Sequence, residues 1–149
     1  MSEVTITLDG YTLPSGFIPK ELTVLFSNQE FNHYLFKPPI DRHLTEVDKR
    51  TIRYTVRCLS GISYHDGDVA VEYLQQILSR YCDYTIYTYS DVAYKLLQEM
   101  LPTTVIINIQ ETGFIMPKML PDTGCSRIHH NPRYCSKSKA FAVQRYLES

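Results

Sequence analysis

The sequence predicts an α/β domain in which helices pack on a mixed sheet. Short runs rich in β-branched and aromatic residues predict a hairpin of two strands in the first third of the chain. Later segments alternate between helical and extended patterns, which is typical of strand–helix–strand units with parallel strands. With 149 residues, the chain is long enough to enclose one hydrophobic core.

The hairpin is expected to follow a turn-rich stretch. Residues 1–15 contain Asp-Gly and Pro-Ser and are predicted to form an N-terminal arm, so a single domain is expected over 16–149. Residues 17–26 end in alternating and β-branched positions that predict a strand. Residues 31–36 predict its antiparallel partner, because a plausible turn separates the two runs.

Helices and further strands are expected to follow the hairpin. Thr45 and Asp48 form an approximate capping box at the start of a helix that runs to about residue 59. Asp68 is expected to cap a second helix, and Ser90 with Asp91 is expected to open a third. The remaining predicted elements are strands at 84–89 and 103–109 and an amphipathic helix at 134–147.

The overall charge gives no reason to expect a nucleic-acid or membrane partner, since 15 Lys and Arg against 16 Asp and Glu leave a net charge of -1. The distribution is more informative. Five basic residues fall in one stretch with no acidic residue before Glu148, which we call the basic terminal segment: Arg127, Arg133, Lys137, Lys139 and Arg145. Such a local excess of cations is suited to phosphate contacts.

The sequence has neither a cationic, apolar signal peptide nor a run of roughly 20 apolar residues of the kind that spans a bilayer. We therefore expect an intracellular protein, cytoplasmic or nuclear, without membrane contact. Thiols stay reduced in those compartments, so cysteines are expected to be core residues or metal ligands. Cys58 and Cys82 lie in apolar-periodic segments and are expected in the core.

The stretch CSRIHHNPRYC, residues 125–135, brackets two histidines with two cysteines. Thiolate and imidazole are the ligand types that zinc prefers, and Cys125 with Cys135 and one histidine gives an acceptable ligand spacing. His129 is the first choice for the imidazole, with His130 as its substitute. The alternative is a buried Cys135 beside two exposed histidines.

The order of elements resembles the DnaQ-like exonuclease branch of the ribonuclease H-like fold, which implies a five-stranded mixed sheet with flanking helices. Those enzymes carry Asp-x-Glu on the first strand, a second Asp after a later strand, and His-x4-Asp near the last helix. In this chain Pro19-Lys20-Glu21 keeps only the glutamate, Ala93 falls near the second acid, and Cys135 replaces the acid that follows His130.

These departures change the expected chemistry. Two-metal nucleases need several carboxylates around paired divalent cations, whereas thiolate and imidazole shift the preference toward zinc. A set made of Glu21, Cys125, His129 and Cys135 resembles the Glu-Cys-His-Cys set of the Maelstrom domain, a DnaQ-like module that has lost its nuclease carboxylates. That resemblance implies a bound zinc ion and no two-metal exonuclease activity.

The expected function is that of a zinc-stabilised, catalytically degenerate domain that binds single-stranded nucleic acid, RNA rather than DNA. The expected contacts are Arg127, Arg133 and Lys137, and no catalytic residue is assigned. One alternative is a weak ribonuclease that uses His130 for acid–base work. Another is a module for a protein partner. A helical row, Arg50, Arg53 and Arg57, together with the many tyrosines, is a further candidate surface for phosphates and bases, although such rows are usually only solvated.

Overall fold

A computed structural model describes residues 2–40, 42–117 and 135–148 of the chain, without the side chains of Leu59 and Ser60. The strands are β1 (Glu3–Leu13), β2 (Gly16–Phe26), β3 (Phe31–Lys37), β4 (Val69–Ala70), β5 (Thr85–Thr88) and β6 (Ile106–Asn108). The helices are α1 (Glu46–Tyr54), α2 (Leu74–Ser79), α3 (Asp91–Met100) and α4 (Ser136–Glu148). A π-helical turn (Thr55–Ser60) extends α1, and 3-10 turns occupy Val71–Tyr73 and Ile109–Thr112.

The strands form one mixed sheet in the order β4-β3-β2-β1-β5-β6. β1, β2 and β3 make an antiparallel meander, whereas β5 pairs parallel with β1 and β6 pairs parallel with β5. The short β4 adds a parallel pairing to β3 at the other edge. The predicted α/β class with a mixed sheet is confirmed, but the sheet has six strands where five were expected.

The prediction of an N-terminal arm over 1–15 is wrong, because residues 3–13 form β1, an inner strand between β2 and β5. The Asp9–Gly10 pair, which indicated a turn, is instead the site of a β-bulge inside the ladder with β2. A side chain at Gly10 would collide with the carbonyl group of Ile18, so only glycine fits this approach. Consequently Glu21 lies on the second strand of the sheet, not on the first.

One face of the sheet is apolar and carries the main core. Its side chains pack against α2 and α3, where alternation along β1 and β2 meets the buried sides of the two helices. The buried members include Val4, Ile6, Leu8, Leu22, Val24, Ile86, Leu74, Leu78 and Leu97. A smaller cluster of Tyr11, Leu13, Ile18 and Ile52 lies beneath α1. The opposite face of β1 and β2 is covered by α4.

Two of the three predicted helix caps are confirmed. Thr45 and Asp48 make both hydrogen bonds of a capping box on α1, and the Ser90 side chain accepts the hydrogen bond that caps α3. Asp68 does not cap a helix, because Val69–Ala70 pairs with β3 and α2 begins only at Leu74.

The prediction that Cys58 and Cys82 lie in the core is wrong. Cys58 lies in the π-helical turn after α1 and Cys82 lies in the turn after α2, and both are exposed. Cys135, by contrast, is buried. None of the helices within residues 2–40, 42–117 and 135–148 is both long and apolar enough to cross a membrane.

Candidate functional site

The side of the β1–β3 meander that α4 covers is polar, although it is largely buried. The strand register places Thr7 opposite Thr23, Asp9 opposite Glu21, and His33 opposite Thr23. The exposed fractions of Thr7, Thr23 and Glu21 are 2%, 0% and 1%. We call the side chains of Thr7, Asp9, Thr23, Glu21 and His33 the polar face. Burying polar groups is unfavourable unless each finds a partner, so the burial of these side chains requires a specific structural or chemical reason.

Three side chains of the polar face converge on Ser136, the first residue of α4. Its backbone N–H donates to Glu21 Oε1 at 2.7 Å, and its carbonyl oxygen accepts from Thr7 Oγ1 at 2.6 Å. Its hydroxyl shares a 2.7 Å hydrogen bond with Thr23 Oγ1. The start of α4 is therefore fixed on the two inner strands through backbone and side chain together.

The second oxygen of Glu21 pairs with a histidine. His33 Nε2 donates to Glu21 Oε2 at 2.7 Å, and the side chain of His33 is 18% exposed. The carboxylate also faces the N-terminal end of α4, where free N–H groups favour negative charge. These two donors and the helix end account for the burial of a carboxylate within a sheet.

At the β-bulge, Asp9 of the polar face forms an ion pair with Lys139 of α4. Lys139 Nζ lies 2.7 Å from Asp9 Oδ1, with both side chains partly exposed. Lys139 belongs to the first turn of α4, and its N–H donates to the Cys135 carbonyl oxygen at 3.1 Å. Asp9 is therefore committed to a cation of the protein at the point where the β1–β2 ladder bends.

The predicted zinc ligands are placed only in part. Glu21 is on β2, and Cys135 is fully buried immediately before Ser136, so the main chain brings this thiol to the end of the helix that the carboxylate binds. Cys125, His129 and His130 lie outside the described residues. Among the residues that the structure does describe, no group of three or more His, Cys, Asp or Glu side chains is arranged to hold a metal ion.

The predicted nucleic-acid contacts are also placed in part. Lys137 lies in the first turn of α4, as expected, and its ammonium group sits 4.0 Å from the centre of the Phe31 ring. This cation–π contact holds a half-buried lysine against β3. Arg127 and Arg133 lie outside the described residues.

The sequence prediction gives no role to His33, Thr7, Thr23 or Ser136. A signal for Thr7 and Thr23 is present in the alternation of β1 and β2, because each sits between two apolar neighbours and therefore points to the side of the sheet opposite the apolar core. The prediction of an arm over residues 1–15 conceals this signal in β1. Nothing in the sequence alone indicates that Ser136 would meet both threonines and Glu21.

Comparisons of the chain with protein-family models, with curated proteins and with solved structures found no match.

Proposed function

We propose that the chain is a zinc-stabilised, catalytically degenerate domain of the ribonuclease H-like, DnaQ-like type that binds single-stranded RNA inside the cell, in the cytoplasm or nucleus. The observation that carries the proposal is the position of Glu21. Its buried carboxylate meets the N-terminus of the last helix directly after Cys135, which lies at one end of the cysteine–histidine stretch.

The strand order supports the fold assignment. An antiparallel meander of three strands followed by two parallel strands beside β1 fits the arrangement that the resemblance implies. The last helix lies across β1 and β2, where such a fold brings the first strand and the last helix together. β4 is an additional edge strand of two residues.

The acidic residues favour a domain without two-metal chemistry. With β1 as the first strand, Thr7 and Asp9 have the acid-x-acid spacing on the side facing α4, so a hydroxyl group stands at the first position. Asp9 is neutralised by Lys139. Asp91 lies near the position of the second acid of the DnaQ-like pattern. It accepts a 3.0 Å hydrogen bond from Asn108 Nδ2, which links the start of α3 to the end of β6. Paired divalent cations need more free carboxylates than this set offers.

The donor atoms support zinc instead. Glu21 and Cys135 would supply a carboxylate and a thiolate, and the proposed set is completed by Cys125 with His129 or His130. The hydrogen bond from His33 would then orient the ligating carboxylate, as outer partners commonly do at metal sites. Zinc bound there would join the segment before α4 to β2 and so contribute to the stability of the fold.

RNA binding is proposed through the basic terminal segment. Arg127 and Arg133 flank the histidines, and Lys137 follows in the first turn of α4. Because Lys137 already contacts Phe31, we expect the two arginines to contribute more to binding than the lysine. Contacts of this type are to phosphates and carry little sequence preference.

The test is binding of a labelled oligouridine by fluorescence anisotropy at several salt concentrations. A variant carrying Arg127→Gln, Arg133→Gln and Lys137→Gln should bind more weakly and flatten the salt slope by about 2, at about 0.7 per single-strand phosphate contact. A matched control removes three exposed cations elsewhere, Lys37, Arg80 and Lys95, and should leave both values unchanged.

Equal binding by the terminal variant and the wild type would contradict the proposed contacts, and no binding by the wild type at low salt would contradict the function. RNA cleavage that persists in a chelator would instead favour the weak ribonuclease. A stable protein partner, without RNA binding, would favour the interaction module.

A further inference from the structure

We propose that a groove beside α1 holds one unstacked base of the bound strand while a row of cations on α1 contacts its phosphates. The inference rests on the proposed function and adds a second RNA contact, made by residues of α1 and of the segment that follows it. The groove has a volume of about 750 Å³. Its lining, which we call the α1 groove, is Leu44, Lys49, Ile52, Arg53, Val56, Arg57, Ser63, Tyr64 and His65.

The floor of the α1 groove is apolar and its far wall is aromatic. Leu44, Ile52 and Val56 supply the aliphatic surface. The rings of Tyr64 and His65 stand edge to face with centroids 5.2 Å apart. Such a combination accepts the flat, apolar face of a nucleobase, and base–aromatic stacking tolerates any sequence.

Three cationic side chains line the side of the groove formed by α1 and its π-helical turn. Lys49, Arg53 and Arg57 follow one another at intervals of four residues. Lys49 and Arg53 lie in α1, where this interval places side chains about 6 Å apart along the helix, and Arg57 follows in the π-helical turn. This distance is close to that between consecutive phosphates of an extended single strand. The described lining contains no Asp or Glu, so the charged side chains that line the groove are all cationic.

The three cations are largely uncommitted. Lys49 makes only a 3.5 Å surface ion pair with Glu46, one turn earlier. Within the described part of the chain, neither Arg53 nor Arg57 forms an ion pair. Exposed arginines without a protein partner are available for phosphate at little cost in broken contacts.

The helix is locally distorted at two residues that line the groove, Val56 and Arg57. The N–H of Gly61 donates to the Val56 carbonyl oxygen at 3.1 Å, five residues back, and Gly61 has a φ of 76°, which ends the π-helical turn. π-helical turns are uncommon and occur frequently at functional sites. Here the turn sets the positions of Val56 and Arg57 relative to the aromatic wall.

The aromatic wall is anchored to the sheet by two buried side chains. Lys20, the extra residue of the β-bulge, is 4% exposed and donates to the carbonyl oxygens of Phe36, Tyr64 and Asp66, with the first two at 2.9 and 2.8 Å. Tyr11 donates its hydroxyl to the Ile62 carbonyl oxygen at 3.1 Å. The wall is therefore formed before a ligand arrives, which lowers the entropy cost of binding.

A single strand of RNA fits these features better than an acidic peptide. Each nucleotide offers one flat base and one phosphate, so a single occupant can use the aromatic wall, the apolar floor and the cation row together. An acidic peptide would need aromatic and carboxylate side chains in a particular spacing to make the same contacts.

The experiment measures oligouridine binding, as a function of salt, for a variant carrying Arg53→Gln and Arg57→Gln. The matched control carries Arg80→Gln and Lys95→Gln, which removes the same charge from exposed positions outside the groove. The groove variant should bind roughly tenfold more weakly near 0.1 M salt, with a slope flatter by about 1.4. The control should bind like the wild type, and both variants should melt like the wild type.

A second measurement locates the base. Oligouridine containing 4-thiouridine should photocrosslink to Tyr64 or His65, as mapped by mass spectrometry of the digested protein. Replacing Tyr64 with leucine, which keeps an apolar side chain in the small core, should abolish a crosslink at that residue and weaken binding by a few fold.

The outcomes separate this inference from the function on which it rests. If the wild type binds RNA and only the Arg127, Arg133 and Lys137 variant weakens binding, the groove is not an RNA contact and the proposed function stands. If the wild type does not bind RNA, both fall. If a labelled Glu-Tyr copolymer binds the wild type but not the groove variant, while RNA binding is equal in the two, the groove belongs to a protein partner. A concentration-dependent dimer that the groove variant abolishes would assign it to a second copy of the chain.

Discussion

The two faces of the sheet are built from the same strands but differ in what holds their helices. On the apolar face, alternate residues of β1 and β2 pack into α2 and α3 without polar contacts among the core members. On the polar face, Thr7, Thr23 and Glu21 bind the first residue of α4 by hydrogen bonds. Apolar packing tolerates small displacements, whereas this set of bonds fixes one position and orientation for the helix end.

The difference indicates a division of roles. Burial of apolar area is the dominant favourable term in folding, so the apolar face should supply most of the stability. A buried carboxylate with two donors contributes little net stability, because its desolvation offsets its contacts. We infer that the role of the polar face is positional, because it fixes the start of α4 and with it Cys135.

The largest expected effect is on the apolar face. Ile6→Ala removes a fully buried side chain from the middle of β1 and should lower the free energy of unfolding by about 4 kcal/mol, through lost transfer energy and a residual cavity. Urea unfolding followed by circular dichroism measures the change. A loss below about 1 kcal/mol would mean that the apolar face does not carry the stability assigned to it.

The next effect concerns Lys20, the extra residue of the β-bulge. Burial lowers the pKa of the Lys20 ammonium to about 8 from its ordinary value of 10.5. Above pH 8 the unfolded chain therefore holds a proton that the native state has lost, and the free energy of unfolding should rise by about 2 kcal/mol between pH 8 and 10. Below pH 8 the lysine is charged in both states and contributes no slope.

The control for this effect is Lys20→Met, which removes the titrating group. The difference in unfolding free energy between wild type and variant, measured in urea at pH 8, 9 and 10, should increase with pH. Burial raises the pKa of the Tyr11 and Tyr64 phenols above the ordinary value of 10.0, so these two groups change the free energy of unfolding mainly above pH 10. The measurements therefore stop at pH 10. A difference that stays constant over this range would contradict the lowered pKa of Lys20.

The smallest expected effect on stability is on the polar face. Glu21→Gln keeps an oxygen for the Ser136 N–H, and His33 can present an acceptor to the new amide in its other tautomer, so the zinc-free protein should lose only about 1 kcal/mol. The same variant should lose most of the stabilisation that zinc gives to the wild type. Thermal melts with and without a chelator measure both. Equal stabilisation of wild type and variant by zinc would remove Glu21 from the ligand set.

The fold class, the capping box of α1 and the Ser90 cap of α3 were predictable because each depends on residues close together in sequence. β1 was not recognised because Asp9-Gly10 is common in turns, and only pairing with β2 makes it a bulge. The meeting of Glu21 and Cys135 was suggested by the resemblance alone. The part played by His33 could not be foreseen, because it depends on the register between β2 and β3, which local sequence does not fix.

If the polar face positions a zinc site, the purified chain should contain zinc. Elemental analysis by plasma mass spectrometry, after purification without chelator, should give about one zinc per chain, since two thiolates, one imidazole and one carboxylate form a closed structural site. The Cys135→Ser variant, prepared alongside, should contain far less. A wild-type chain with well under one-tenth of a zinc ion would contradict the account and leave Glu21 as a structural partner of α4.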